Sequence, residues 1–277
     1  MNTRSSSVMT VELHAMTCGW LTMAHCLFLE GEQGELEVPI PSYLIKHPKG
    51  VVLFDSGLEE ALSSPSESVV KATLGPLAPF VRARFKQGED VAGRLEALEV
   101  EPERVDYLIN SHLHMDHCGG NALIRNARLV VQQQEWACAC TPEFQAGGAY
   151  VQRHFDLGHD RIEAEGEYDL FGDGSVVCIP TPGHTPGHQS LRVKLEGGHV
   201  VLTSDACYMR ESLEQMRLPD PMVVGDRERS LQTLRTLRQL QQSGAHLLFG
   251  HDPHQWHKLT AGVSRALTLA DVAAACA

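Results

Sequence analysis

The segment Ser111-His112-Leu113-His114-Met115-Asp116-His117 puts four side chains able to bind a metal within six residues. It follows Val105-Asp106-Tyr107-Leu108-Ile109-Asn110, an apolar run that reads as a buried strand. Residues two apart on an extended chain share a face, so His112 and His114 can grip one ion together. Asp116 and His117 lie past the turn and can address a second position. Gly119-Gly120 then lets the backbone fold back before a helix. Imidazole and carboxylate suit zinc and its first-row neighbours, and a merely solvated histidine-rich loop would not gather so many titratable groups at a strand end.

Working outward, the same context recurs. Thr181-Pro182-Gly183-His184-Thr185-Pro186-Gly187-His188 is a stiff turn with two histidines, either of which can reach a metal. Ser204-Asp205 ends the run Val200-Val201-Leu202-Thr203, and Gly250-His251-Asp252 ends Leu247-Leu248-Phe249. Each puts a ligand-type residue where a buried strand emerges, which is where rigid sites are built.

The remaining pattern predicts strands and helices in both halves. Tyr43-Leu44-Ile45, the turn His47-Pro48-Lys49-Gly50 and Val51-Val52-Leu53-Phe54 read as a hairpin. Further strands are expected over Ala127–Gln132, around Val176–Ile179, and over Gln189–Leu195, His199–Thr203 and Ala245–Phe249. Helices are expected over Val91–Leu98, Gln134–Cys140, Asp226–Gln242 (with Leu231, Leu234, Leu237 and Leu240 on one stripe) and Leu259–Ala275. Leu62–Lys86, broken by Pro65, Gly75-Pro76 and Pro79, reads as short helical pieces of a lid-like insertion. The expected architecture is α/β: two mixed sheets packed together and flanked by helices. It forms a single domain over residues 10–277 behind a flexible tail of residues 1–9.

Bulk composition narrows the function. With 23 Lys+Arg against 35 Asp+Glu, a net charge of -12 opposes binding to nucleic acid or an anionic membrane. Met1–Met9 is polar and Ser-rich, unlike a signal peptide, so a cytoplasmic location and free thiols are expected for the eight cysteines. Cys118 and Cys207 stand next to the candidate ligands but read as small buried residues.

The HxHxDH run, the later PGH turn, the Asp after a strand and the terminal GH together resemble the metallo-β-lactamase superfamily, over roughly Val11–Trp256. The resemblance implies the αβ/βα sandwich and two divalent metal ions, zinc first, with manganese, iron or cobalt as alternatives. It implies His112, His114 and His184 on one ion, Asp116, His117 and His251 on the other, and Asp205 bridging. His184 rather than His188 matches the family ligand, and Asp55 in Asp55-Ser56-Gly57 reads as support behind the ligands. Two ions about 3.5–4 Å apart sharing a water make hydroxide available near neutrality.

Asp205-Ala206-Cys207-Tyr208 resembles the D-x-x-Y of bacterial N-acyl-homoserine lactonases, the quorum-quenching branch. That resemblance implies ring opening of a small-molecule lactone by the bridging hydroxide, with Tyr208 on the carbonyl oxygen and Asp116 passing a proton to the leaving oxygen. It also allows a homodimer. Met115 departs from the aromatic that many of these lactonases carry. The rival expectations are another lactone of the 4-pyridoxolactone type, a promiscuous esterase or phosphotriesterase, and a metal-binding regulator without turnover. A purely structural site would be closed and four-coordinate.

Overall fold

A computed structural model describes residues 10–260 and 265–277. The expected N-terminal tail lies outside the described residues. The first sheet contains β1 (Glu12–Ala24), β2 (Glu35–His47), β3 (Gly50–Phe54), β4 (Arg82–Arg84), β5 (Tyr107–Ile109), β6 (Arg128–Gln132) and β7 (Arg161–Ala164). Their spatial order is β4-β1-β2-β3-β5-β6-β7. The first four of these pair antiparallel, and β3, β5, β6 and β7 run parallel. The second sheet contains β8 (Tyr168–Asp169), β9 (Val176–Pro180), β10 (Gln189–Leu195), β11 (Gly198–Ser204) and β12 (His246–Phe249), in the order β12-β11-β10-β9-β8.

Side-chain alternation decides which face of each strand goes where. Tyr43, Ile45, Val52, Phe54, Ile109 and Val130 point inward to meet Val176, Leu191, Val193, Val200, Leu202 and Leu248 of the second sheet in one apolar cluster. Their neighbours Leu44, Leu53, Leu108 and Leu129 point outward, onto Val91 and Leu95 of the helix Val91–Glu96. On the far side Val201, Leu247 and Phe249 pack against Leu234 and Leu237 of the helix Arg227–Gln242. The result is helix, sheet, sheet, helix: the αβ/βα sandwich. Each leucine so buried contributes about 1.5–3 kcal/mol.

The hairpin expected around His47-Pro48-Lys49-Gly50 forms, with His47 opposite Gly50 and Tyr43 opposite Phe54. Three other expectations are revised. Leu62–Lys86 holds the helix Glu67–Leu74, but it ends in β4, which pairs with β1 through Arg84 and Trp20. Bidentate ion pairs from Arg82 to Glu35 and from Arg84 to Glu37 secure that edge. The single helix expected over Leu259–Ala275 is two, Pro253–Thr260 and Leu269–Cys276. Before the second, Leu267 bridges to Leu13, and Thr268 caps the new helix in a box with Asp271. Residues 261–264, which the expected helix crossed, lie outside the described residues. The buried face of Arg227–Gln242 is centred on Ser230, Thr233, Leu234 and Leu237, with Leu231 and Leu240 at its margin.

Gly119 and Gly120 do not adopt the left-handed conformation. They are required by close approach, since a Cβ would lie 2.4 Å from the Glu59 nitrogen or the Ser56 carbonyl oxygen respectively. The same sheet edge that receives this turn collects the ends of β3, β5, β11 and β12, and the candidate site stands there.

Candidate metal centre

Two irregularities present the central carboxylate. Pairing of β11 with β12 shifts register between Leu202 and Ser204, and Ser204 is left-handed at φ 48°. This kink turns Asp205 out of the strand and into the site. Asp55, at the end of β3, is also left-handed at φ 58°. Non-glycine residues held there are strained and persist only where surrounding contacts over-determine them. Here the contacts are a buried network. The Asp55 carboxylate accepts from the Ser111 backbone N–H at 2.7 Å and the Ser111 hydroxyl at 2.8 Å. The Ser204 hydroxyl donates to Ser111 Oγ at 2.8 Å.

The seven residues named as ligands from sequence converge. Donor atoms of His112, His114 and His184 lie within 4.8 Å of one another, as do those of Asp116, His117 and His251. Asp205 stands between the trios and divides its oxygens. Oδ2 lies 3.3 Å from His184 Nε2 and 3.7 Å from His112 Nε2. Oδ1 lies 3.1 Å from both His117 Nε2 and His251 Nε2. Asp116 Oδ2 is 3.5 Å from His117 Nε2.

The far side of each ring assigns its proton. His117 Nδ1 is 2.9 Å from Asp55 Oδ2, His251 Nδ1 is 2.9 Å from the Pro39 carbonyl, and His184 Nδ1 is 3.1 Å from the Val223 carbonyl. These partners only accept, so each Nδ1 carries a hydrogen, and it is the neutral ring that presents an Nε2 lone pair. His112 Nδ1 reaches Ser111 Oγ, whose own hydrogen is committed to Asp55. The Nε2 atoms of His112 and His117 and Oδ1 of Asp205 are therefore buried, face one another and have no hydrogen-bond partner. A buried cluster of lone pairs around a carboxylate is a cation site, and the donor set of imidazole nitrogens and carboxylate oxygens fits divalent first-row metals.

Electrostatics divide the two trios. Burial disfavours charge on every ring and holds His112, His114 and His184 below the ordinary histidine range, with each of these three rings also repelled by charge on neighbouring histidines. At His117 and His251 burial is overcome by Asp205 and Asp116 (and at His117 by Asp55 too), which raise both. Burial would raise Asp116 and Asp205, yet the facing His117 and His251 hold both below the usual carboxylate range.

Tyr208 is buried against Phe28, with its hydroxyl 3.1 Å from His184 Nδ1. Burial first, and then the charges of Asp205 and Asp116, push its ionisation well above the ordinary value, so it stays a neutral hydroxyl. His188 is outside both trios: its Nδ1 meets the Thr181 hydroxyl at 2.8 Å and its ring centre lies 5.2 Å from that of His112. The thiols of Cys118 and Cys207 point away, onto the carbonyls of Leu113 and Met209. Met115 is buried with Tyr208, Phe28 and Leu62, Leu74 and Val81 of the 62–86 segment. Sequence reading missed Ser204, Glu135 and the carbonyls of Pro39 and Val223. Only Ser204, beside Asp205 at a strand end, carried a local signal.

The chain is similar to known proteins. The Metallo-beta-lactamase superfamily model matches residues 37–251. The chain is 34% identical over 235 residues to the N-acyl homoserine lactonase AttM of Azorhizobium caulinodans, covering 82% of this chain and 87% of that one. It is 31% identical over 225 residues to the N-acyl homoserine lactonase AiiA of Bacillus thuringiensis subsp. kurstaki, covering 79% and 84%. Among solved structures, an N-acyl homoserine lactone hydrolase with N-hexanoyl-L-homoserine bound at its catalytic metal center superposes with a TM-score of 0.78 at 28% identity, over 90% of this chain and 96% of that one.

Proposed function

The chain belongs to the metallo-beta-lactamase superfamily, and from that premise we propose that it is a dinuclear-metal lactonase that opens N-acyl-L-homoserine lactones. The observation that carries the dinuclear part is the set of orphaned, mutually facing atoms His112 Nε2, His117 Nε2 and Asp205 Oδ1. The relatives named N-acyl homoserine lactonase support the substrate. His112, His114 and His184 would hold one ion, Asp116, His117 and His251 the other, and Asp205 both, with zinc the leading candidate. When bound, the pair supplies Lewis acidity and a hydroxide at neutral pH.

The chain's own residues account for the rest. Tyr208, kept neutral by burial, retains a hydroxyl hydrogen that it can donate to the lactone carbonyl oxygen as that oxygen gains charge. Asp116 is the carboxylate nearer the mouth, its side chain 16% exposed against 5% for Asp205. It is suited to take the proton of the attacking water and return it to the leaving ring oxygen. The new C–O bond forms at the acyl carbon, the ring C–O bond breaks, and the product acid releases one proton. Leu62, Leu74 and Val81 are buried with Tyr208 and Met115 in one apolar cluster, so the 62–86 segment packs directly behind the site. The eight free thiols fit a reducing, cytoplasmic setting.

Ring opening of N-hexanoyl-L-homoserine lactone, followed by proton release with metal-stripped protein as control, tests this reading. Metal-dependent turnover is expected, with kcat lowered about 10²–10³-fold in Tyr208→Phe. Metal-loaded protein that opens no homoserine lactone would refute the substrate and direct the same assay to a 4-pyridoxolactone-type ring.

A further inference from the structure

Glu135, in the first turn of the helix Gln133–Ala139, has a fully buried side chain that none of the chemistry above uses. Its carboxylate accepts from donors on three separate segments. Oε1 takes the Leu113 backbone N–H at 3.0 Å and the Tyr150 hydroxyl at 2.8 Å. Oε2 takes the Thr185 hydroxyl at 2.6 Å and the Gly187 N–H at 3.2 Å. Two of those donors are backbone N–H groups that can only donate, and four donors saturate an ionised carboxylate. Burying such a group is costly unless every lone pair is used, so the arrangement is a built one.

What the donors have in common is their position. Leu113 stands between His112 and His114. Thr185 follows His184, and Gly187 sits in the same turn. Tyr150 packs its ring against His114 in a T-shaped contact, with centres 4.5 Å apart. The turn is also seated directly on the helix, since a Cβ on Gly187 would fall 2.1 Å from the Glu135 nitrogen. None of these contacts reaches Asp116, His117 or His251; His117 and His251 are held instead by Asp55 and the Pro39 carbonyl.

We propose that Glu135 is a positioning residue for one half of the metal centre only: by tying Leu113, Tyr150 and the Thr185–Gly187 turn to one carboxylate, it sets the spacing of His112, His114 and His184. Replacing it by Gln turns one acceptor into a donor that faces either Leu113 N–H and Tyr150 or Thr185 and Gly187 N–H. The trio would then lose its alignment while the other trio keeps its own supports. The proposal rests on the dinuclear reading and not on the identity of the lactone.

The test is zinc affinity, by chelator competition, for Glu135→Gln placed in two backgrounds. His251→Ala leaves the His112/His114/His184 half intact, and His114→Ala leaves the other. In the first background zinc binding should weaken about 10–100-fold, the usual cost of removing support behind a ligand. In the second it should change less than about threefold. Equal weakening in both would reduce Glu135 to general structure, and no weakening in either would remove its role; both outcomes overturn the proposal. Should Glu135→Gln fail to fold by circular dichroism, Thr185→Val in the same backgrounds removes one donor and is expected to weaken the first half alone. Wild-type protein that binds fewer than two zinc ions would count against the dinuclear reading itself, separately from Glu135.

Discussion

The two halves of the metal centre are built from similar ligands by different means. His112, His114 and His184 are three imidazoles that burial keeps neutral, steadied through backbone and turn contacts that meet on Glu135. Asp116, His117 and His251 combine a carboxylate with two imidazoles that nearby charge pulls toward protonation, steadied by acceptors bonded straight to the rings. The first half adds to its own ring contacts, His184 with the Val223 carbonyl and His112 with Ser111, a docking of its loops on Glu135. The second is shaped electrostatically, with Asp55 and the Pro39 carbonyl fixing each ring's tautomer. Asp205 joins them because a kinked strand end turns one oxygen to each. The contrast teaches that supporting groups need not touch a ligand to position it.

The largest expected effect erases the contrast. Asp205→Ala removes the one residue shared by both halves, and should abolish cooperative binding of two ions and lower lactone turnover by at least about 10³-fold, because the lowered pKa of a shared water is lost. Metal content by elemental analysis together with kcat checks this, and a variant that keeps both ions would break the bridging role. A smaller effect sharpens the contrast. Asp55→Asn should weaken zinc about 10–100-fold in the half containing His117, mirroring Glu135→Gln in the other. Chelator competition in the same His114→Ala and His251→Ala backgrounds reads it. Because Asp55 also holds Ser111 beside His112, some loss in the first half is expected as well, so Asp55 should prove the less selective of the two supports.

Much of the ligand set was legible before any coordinates. His112, His114, Asp116 and His117 are contiguous, so the chemistry shows in a single phrase. His184, Asp205 and His251 were readable because each ends an apolar run, the local mark of a strand reaching a sheet edge. The supports were not readable for a physical reason. Pro39 serves through its carbonyl across 212 residues of sequence, and Val223 does likewise for His184, so neither side chain advertises the role. Glu135 looked like an ordinary acidic residue in a first helical turn until Thr185 and Gly187 were folded onto it. Asp55 was readable only as general support; its three-way grip on Ser111 and His117 depends on a left-handed backbone that no composition signals. In the fold, β4 escaped notice because three residues carry no periodicity, although ion pairs from Arg82 and Arg84 reach across β1 to Glu35 and Glu37 of β2. The break before Leu269 was marked by Thr268 and Asp271, a capping box hidden inside what read as one apolar helix.

The central claim is that two ions act together through Asp205 on a lactone. It is tested most directly by adding zinc in steps to metal-stripped protein while following proton release from N-hexanoyl-L-homoserine lactone. Turnover should keep rising past one equivalent per chain and level off only at two. Full activity at one equivalent, or two ions bound with no ring opening at any loading, would contradict it.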